Sequence, residues 1–286
     1  MTKGWLIYKE QDVFGNEGYI NWFIEEAAKQ ELSLELVLRE TIAAGVIDNQ
    51  PVILREGQPE TPDFAIVRTI EPILNLHLET AGVAVFNNYD ISRIANDKAL
   101  AHHHVQQLGV PMNDTLYLQT SLLKDEPPLA YPFVLKQTGG RGGKEVYWIA
   151  NDKDWAGCRE NLPQTSLIAQ KTDVQIGKDI RVFVVGKEIV GAVLRESKKD
   201  FRANFKLGGH ASLIDLTDAK TFYIQRIIDR FEFGMVGIDF LIAHDGGLLF
   251  NEIEDIVGSR TLSATSEINI LEKYISLIKS KLKTRQ

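Results

Sequence analysis

Val236-Gly-Ile-Asp-Phe-Leu-Ile242 and, after a turn at Asp245-Gly-Gly247, Leu248-Leu-Phe-Asn-Glu-Ile-Glu254 are two apolar strands that carry three acids. A strand sends alternate side chains to opposite faces, so Glu252 and Glu254 share a face. If the strands pair across Gly246-Gly247, Asp239 joins them and three carboxylates face one another. Unpaired carboxylates gathered in a partly desolvated place repel, and one must take a proton unless a cation enters. A hard divalent ion resolves this, and Mg²⁺ held by carboxylates and substrate phosphates is the usual case. The competing reading is a solvated sheet face whose acids pair with lysines.

Working outward, the basic residues favour a phosphate ligand. Lys136 ends the apolar strand Phe133-Val-Leu-Lys136, where an inward ammonium requires an anion nearby and an outward one snorkels to solvent. Thr138-Gly-Gly-Arg-Gly-Gly-Lys144 follows and leads into the strand Glu145–Ile149. This is a hairpin with a glycine-rich tip whose free N–H groups can close over phosphates. It is neither of two better-known phosphate loops. A strand-to-helix loop ending at Gly143-Lys144 would need glycine at Thr138 and Ser or Thr at Glu145, and a dinucleotide fingerprint from Gly140 would need glycine at Glu145. The segment Arg195-Glu-Ser-Lys-Lys-Asp-Phe-Arg-Ala-Asn204 concentrates cations in a chain of net charge -7. It suits either a solvated loop or a phosphoryl group needing fixed donors at Arg202 and Asn204.

The rest of the chain supplies a frame. Trp5–Tyr8, a helical pattern at Ile20, Phe23, Ile24, Ala27 and Ala28, the alternation Leu32, Leu34, Leu36, Leu38, the runs Val52–Leu54 and Phe64–Val67, a helix near 70–81 and a strand at Val83–Phe86 predict a small α/β lobe with a partly parallel sheet. A helical stretch from Ile91 to Leu108 containing Asp97-Lys98 ends at Gly109-Val-Pro111. Strands follow at Thr115–Leu118, Leu167–Thr172, Asp179–Val185 and Ile189–Arg195. A helix spans about 218–231, and a last helix carries Ile268, Leu271, Ile275, Ile278 and Leu282.

Composition excludes several classes. With 286 residues, 44% hydrophobic and 25% charged, the chain is long enough for two or three folded lobes and too apolar to be disordered. Its acidity argues against broad nucleic-acid binding, which needs basic surface. The N-terminus lacks a signal-peptide pattern, and no apolar run is long enough to span a membrane, so a cytoplasmic protein with no membrane partner is expected. Cys158, the single cysteine, reads as an ordinary thiol. Consecutive His102, His103 and His104 point in different directions on a helix, unlike ligands spaced to share a face. Lys279, Lys281 and Lys283 complement the end of the last helix dipole.

Taken in order, these pieces resemble the ATP-grasp superfamily, most closely the branch of the ribosomal-protein glutamate ligase RimK and the lysine-biosynthesis ligases. The resemblance runs from about Asn88 onward. It rests on Asp97-Lys98, Pro132–Lys136 with its glycine loop, Asp179-Ile-Arg181 with Val184-Val-Gly186, Asp200–Asn204 with Gly208-Gly209, Gly237-Ile-Asp239 and Asn251–Glu254. It implies an α/β fold in which a small N-terminal α/β lobe (1–88) is followed by two α+β lobes (89–172 and 173–286) that clamp a nucleotide.

By the same resemblance, Lys98 and Lys136 contact phosphates, and Gly139, Gly140, Gly142 and Gly143 close over them. Gln170, Lys171 and Thr172 form the hinge that reads adenine, and Asp179 binds the nucleotide side of the cleft. Asp239, Glu252 and Glu254 hold Mg²⁺, for which Mn²⁺ can substitute. Arg181, Arg202 and Asn204 steady the transferring phosphoryl group. The chain departs from the family by placing Glu254 where asparagine is usual and by replacing the next segment with Asp255-Ile-Val-Gly-Ser-Arg-Thr261, in which Arg260 is expected to bind a substrate carboxylate.

The implied reaction is ATP-dependent ligation of a carboxylate to an amine through an acyl phosphate, with small-molecule or peptide substrates. Formation of a homo-oligomer stays open. So do two rivals: an ATP-grasp enzyme of another acceptor class, such as a D-amino-acid or dipeptide ligase or a carboxylase, and a nucleotide-binding module without catalysis.

Overall fold

The computed structural model describes residues 2–140, 145–197, 201 and 209–285. In the N-terminal third, apolar strands alternate with helices. Strands β1 (Lys3–Tyr8), β2 (Ser33–Leu38), β6 (Phe64–Val67) and β7 (Ala84–Phe86) form an all-parallel sheet in the order β2-β1-β6-β7. Nearly every residue of β1 and β6 is buried, because both faces are covered. The short helix α1 (Glu10–Val13) leads into α2 (Glu17–Lys29), which buries Ile20, Phe23 and Ala27. Helix α3 (Pro72–Thr80) buries Leu74 and Leu78 in a second core with Trp5 and Ile7. The run Val52–Leu54 belongs to a separate antiparallel sheet of β3 (Ile42–Ile47), β4 (Gln50–Arg55) and β5 (Gln58–Pro59), whose Ile42 and Ile53 cap that second core.

The expected single helix from Ile91 to Leu108 is two helices, α4 (Tyr89–Ala95) and α5 (Lys98–Gln106). The break is made by Asp97, whose carboxylate accepts from the backbone N–H groups of Ala99 at 2.9 Å and Leu100 at 3.1 Å. Such a cap satisfies orphan donors and is worth about 1 kcal/mol. It places Lys98 at the first residue of α5.

The second sheet is antiparallel, in the order β10 (Val146–Ile149), β9 (Phe133–Gln137), β11 (Ser166–Lys171), β8 (Thr115–Gln119). Phe133, Leu135, Leu167 and Ala169 pack with Trp155 of α6 (Asp152–Asn161) in a core drawn wholly from this segment. The strand period sends Val134, Lys136, Ile168 and Gln170 to the opposite face.

The third sheet is also antiparallel, in the order β14 (His210–Ile214), β13 (Glu188–Glu196), β12 (Lys178–Val185), β15 (Met235–Ile242), β16 (Leu248–Glu254). Ile180, Val182, Ile238 and Ile253 lie against Ile224, Ile227 and Ile228 of α7 (Asp218–Arg230) and against residues of α4 and α5. On the other face, Phe183, Val185 and Met235 join the core of α2, β1 and β6, together with Leu271, Tyr274 and Ile275 of α9 (Ile270–Lys283). That face is apolar where it meets the N-terminal lobe and charged beyond Phe183. Helix α8 (Arg260–Thr265) follows the acid-bearing strand. Among the described residues no helix is long and apolar enough to cross a membrane.

Candidate active site

Pairing of β15 with β16 sets Asp239 opposite Glu252 and Gly237 opposite Glu254, with a register shift after Asp239. The three acids thus share the charged face, as their spacing implies. They are not bare. Arg181, opposite Asp239 on β12, forms a two-pronged pair with it, both bonds at 2.7 Å, and its Nη1 lies 2.5 Å from Glu254. Arg195, opposite Asp179, pairs with that carboxylate at 2.6 and 2.8 Å and donates a further 2.7 Å bond to Asp239. Two guanidiniums hold Asp239 well below the usual carboxylate range although burial opposes this. Asp179 moves the other way, to about 6, because burial and the nearby Asp239 charge outweigh its arginine. The difference in sign follows from the sharing: Asp239 is bonded by both arginines, whereas Asp179 is bonded by Arg195 alone.

Gly237 makes this packing possible. A Cβ there would lie 2.8 Å from the Val257 side chain, too close to be accommodated without a shift, and in ordinary contact with Arg181 at 3.4 Å.

The cations of the second sheet meet the acids across the cleft. Lys136 donates to the Asn251 side-chain oxygen at 2.9 Å, and its pKa is lowered to about 8, because burial outweighs the field of Glu252 and the more distant acids. Asn251 also offers its carbonyl to His102 Nε2 at 2.7 Å. The His102 ring is buried and lowered to about 4 by that burial, so it is neutral and holds α5 against β16. Lys98 lies 3.4 Å from Glu252 and donates to the carbonyl of Gly140 at the glycine hairpin. A Cβ at Gly140 would approach Glu145 and the Gln137 carbonyl at 3.1 to 3.3 Å, so the tight turn favours glycine.

The remaining expected residues are placed as follows. Gln170 is buried and donates to Thr115 at 3.0 Å, leaving its carbonyl oxygen without a partner among the described residues. The Lys171 N–H donates to the Asp114 carbonyl, its carbonyl accepts from Asn113, and its ammonium pairs with Asp114. Thr172 donates its hydroxyl to Pro132. Gly139 is described, whereas Gly142, Gly143, Arg202 and Asn204 lie outside the described residues. Of the segment 200–204 only Phe201 is described. Its ring sits 5.3 Å from that of Trp148 and its carbonyl accepts from Gly177. Arg260 is exposed and donates to the Gly15 carbonyl at 3.3 Å. Sequence reasoning assigned no role to Arg195 or Asn251. A cation ending the apolar alternation Ile189–Arg195, and an amide between two apolar and acidic positions of β16, were the available signals.

The donor types suit a hard divalent cation: three carboxylates share one face, and Glu254 Oε2 is buried without an aligned hydrogen bond despite the nearby Arg181, although both oxygens of Asp239 are taken by arginines. As the chain stands, no three acids, histidines or cysteines among the described residues gather closely enough to hold a metal. Arg181 bridges Asp239 and Glu254 instead.

Lys136 on one sheet thus meets the acid-bearing strand of another through Asn251, and Lys98 stands between Glu252 and Gly140. Residues 95–278 match the RimK-like ATP-grasp domain, and the chain belongs to that family. It is an ATP-grasp ligase, an enzyme of the carboxylate-amine ligase class that forms carbon–nitrogen bonds, and its fold implies ATP and Mg²⁺. Among its relatives is the glutamate--LysW ligase ArgX of Sulfurisphaera tokodaii, 26% identical over 76% of this chain and 82% of that protein. The fold is shared with a RimK domain ATP-grasp protein from Sphaerobacter thermophilus, with TM-score 0.73 and 17% identity over 97% of this chain and all of the other. It is shared too with a Chryseobacterium gregarium RiPP-associated ATP-grasp ligase in complex with ADP and a leader and core peptide, with TM-score 0.70 and 15% identity over 98% and 97% of the two chains.

Proposed function

We propose that the protein activates a substrate carboxylate with ATP and transfers the acyl group to the amine of an amino acid, with L-glutamate as that amino acid. The observation that carries this reading is the placement of Lys136, a buried ammonium whose hydrogen-bond partner is an amide on the acid-bearing strand. Among the described residues its aligned bond goes to Asn251 and to no acid, and a phosphate would supply the anion that a buried charge calls for. Glutamate is suggested by the printed names of relatives, and the peptide complex of the Chryseobacterium neighbour makes a peptide carboxylate a reasonable partner.

In the proposed reaction a carboxylate oxygen attacks the γ-phosphorus while the bond to the ADP oxygen breaks. The amine then attacks the acyl phosphate carbon and loses a proton, and phosphate leaves with the bonding pair. Such phosphoryl transfer requires chiefly alignment and charge neutralisation. Lys98, Lys136 and Gly139–Gly143 would hold the phosphates. Hinge groups of Gln170–Thr172 would read adenine, and Asp179 would act through Arg195. Asp239, Glu252 and Glu254 would hold Mg²⁺ or Mn²⁺, which lowers the charge that the phosphates present to an incoming carboxylate. Arg181 would release Glu254 and turn to the phosphoryl oxygens beside Arg202 and Asn204. Arg260 would meet a substrate carboxylate in exchange for the Gly15 carbonyl. The lobe limits 1–88, 89–172 and 173–286 are proposed on the same reading and accord with each principal sheet coming from one segment.

The test is ADP release from ATP and Mg²⁺ with pooled peptides as carboxylates, in the presence of L-glutamate, D-alanine or bicarbonate, with products identified by mass spectrometry. A glutamyl amide is expected. Turnover with D-alanine or bicarbonate alone would replace the reading by a rival class, and an unchanged KM for glutamate in Arg260→Ala would remove that residue's role.

A further inference from the structure

Strand β16 carries one residue more than the stretch of β15 with which it pairs. Glu252 stands opposite Asp239 and Phe250 opposite Phe240, which leaves Asn251 as the extra residue of a bulge. A bulge takes its residue out of the ladder and re-aims the side chain, and bulges recur beside active sites for that reason. Both consequences are present here. The Asn251 carbonyl is met from α5, by His102 Nε2 at 2.7 Å, and the His102 ring is fully buried with its edge against Phe250. The Asn251 side chain leaves its own sheet, and its oxygen accepts from Lys136 Nζ of β9 at 2.9 Å. His102, Asn251 and Lys136 thus form one hydrogen-bonded chain that runs from a helix through the bulge to the facing sheet.

The last bond of that chain differs in kind from those of the neighbouring cations. Arg181 and Arg195 are bonded to carboxylates, and Lys98 stands 3.4 Å from Glu252. Lys136 is bonded to a neutral amide oxygen. An ammonium held away from water needs an acceptor, or it sheds its proton. A carboxylate in that place would hold it more firmly, and a buried ion pair is costly to break from one side, so the acid would compete with any incoming anion. An amide oxygen keeps the ammonium in place and gives it up more readily.

We propose that Asn251 is a positioning residue for the nucleotide: pinned by His102 in its bulge, it holds the Lys136 ammonium in the cleft on a neutral oxygen, from which a phosphate of ATP takes it over. This rests on the ligase reading, in which Lys136 meets phosphate, and deepens it. Asn251 acts through the lysine and not on the reacting atoms.

A purely structural Asn251, shaping the bulge alone, predicts the same loss of ATP binding whether or not Lys136 is present. Calorimetric titration of ATP with Mg²⁺ into the full chain, for Asn251→Ala, Lys136→Met and the double variant, separates the two roles as a cycle. The bond to His102 uses the Asn251 carbonyl, and the side chain is only partly buried, so Asn251→Ala keeps the tie to α5. Where Lys136 is present, Asn251→Ala is expected to weaken ATP about tenfold, as for loss of a bond to a charged group. Beside Lys136→Met it should change ATP binding by no more than about twofold. The KM for ATP should rise accordingly, with kcat and the KM for the amine changed little. Asn251→Asp keeps the shape and so tests the neutral oxygen even if the alanine variant does not fold. It is expected to unfold at the same or a higher temperature and yet bind ATP more weakly. Equal losses in the two backgrounds, or ATP bound as tightly by Asn251→Asp as by the wild type, overturn the proposal. The expected coupling in a chain that releases ADP with no pair of carboxylate and amine overturns the ligase reading and leaves this inference standing.

Discussion

Arg181 and Arg195 in the C-terminal sheet and Arg68 in the N-terminal lobe are all buried guanidiniums, and they are satisfied in opposite ways. The first two share Asp179, Asp239 and Glu254 through aligned, two-pronged bonds. The third has ring faces, a phenol and two carbonyls. A paired buried cluster is roughly neutral in stability but costly to break from one side. The C-terminal cluster is therefore a preassembled set of ion pairs, and the N-terminal guanidinium is a tie between Tyr8 and the carbonyls of Ile256 and Val257.

The largest expected effect comes from breaking those ion pairs. Asp239→Ala would strand two buried guanidiniums and destabilise the fold by about 3–5 kcal/mol, measured by denaturant unfolding. Asp239→Asn, which keeps the shape, should unfold closer to wild type yet lose turnover by about a thousandfold if the acid serves the metal and phosphates. A mild effect of both on turnover would show the cluster to be structural.

Lys136 sharpens the comparison, since it too is a cation held away from water whose aligned bond among the described residues goes to a neutral group, Asn251. Lys136→Met should raise the KM for ATP by about 10- to 100-fold, the loss of a bond to a charged group, without loss of stability. The pH sign follows from the lowered pKa. In the free protein the charge is lost as pH rises through about 8, whereas an unfolded lysine keeps its proton to about pH 10.4, so this residue's contribution to stability rises over that window. Bound phosphate favours the charged form, so ATP binding should weaken above about pH 8 and take up a proton, read by calorimetry in buffers of different ionisation enthalpy. Lys136→Met should abolish the uptake.

The acid strands were legible because β15 and β16 are apolar and their acids obey a period of two. Arg195 was not, because its pairing with Asp179 depends on a register that shifts after Phe183, and no spacing reveals a bulge. Arg68 was invisible for a different reason: Tyr19 and Val257 reach it from distant parts of the chain. The break between α4 and α5 could have been read, since an aspartate before a helical residue is a capping signal, but the apolar period across it carried the eye past. The smallest expected effect tests that break. Asp97→Ala should lower stability by about 1 kcal/mol and raise the KM for ATP only slightly, through a less fixed Lys98.

The hydrophobic cores divide the molecule differently from the chain order. Leu6, Phe23 and Phe64 near the N-terminus share one core with Phe183, Met235 and Tyr274, whereas the sheet bearing Lys136 closes its own around Trp155. The N-terminal and C-terminal sheets thus share a core, whereas the four-stranded sheet of Lys136 has one of its own. A displacement of that sheet would leave the apolar interior of its neighbours covered, so it would draw on local rather than global stability.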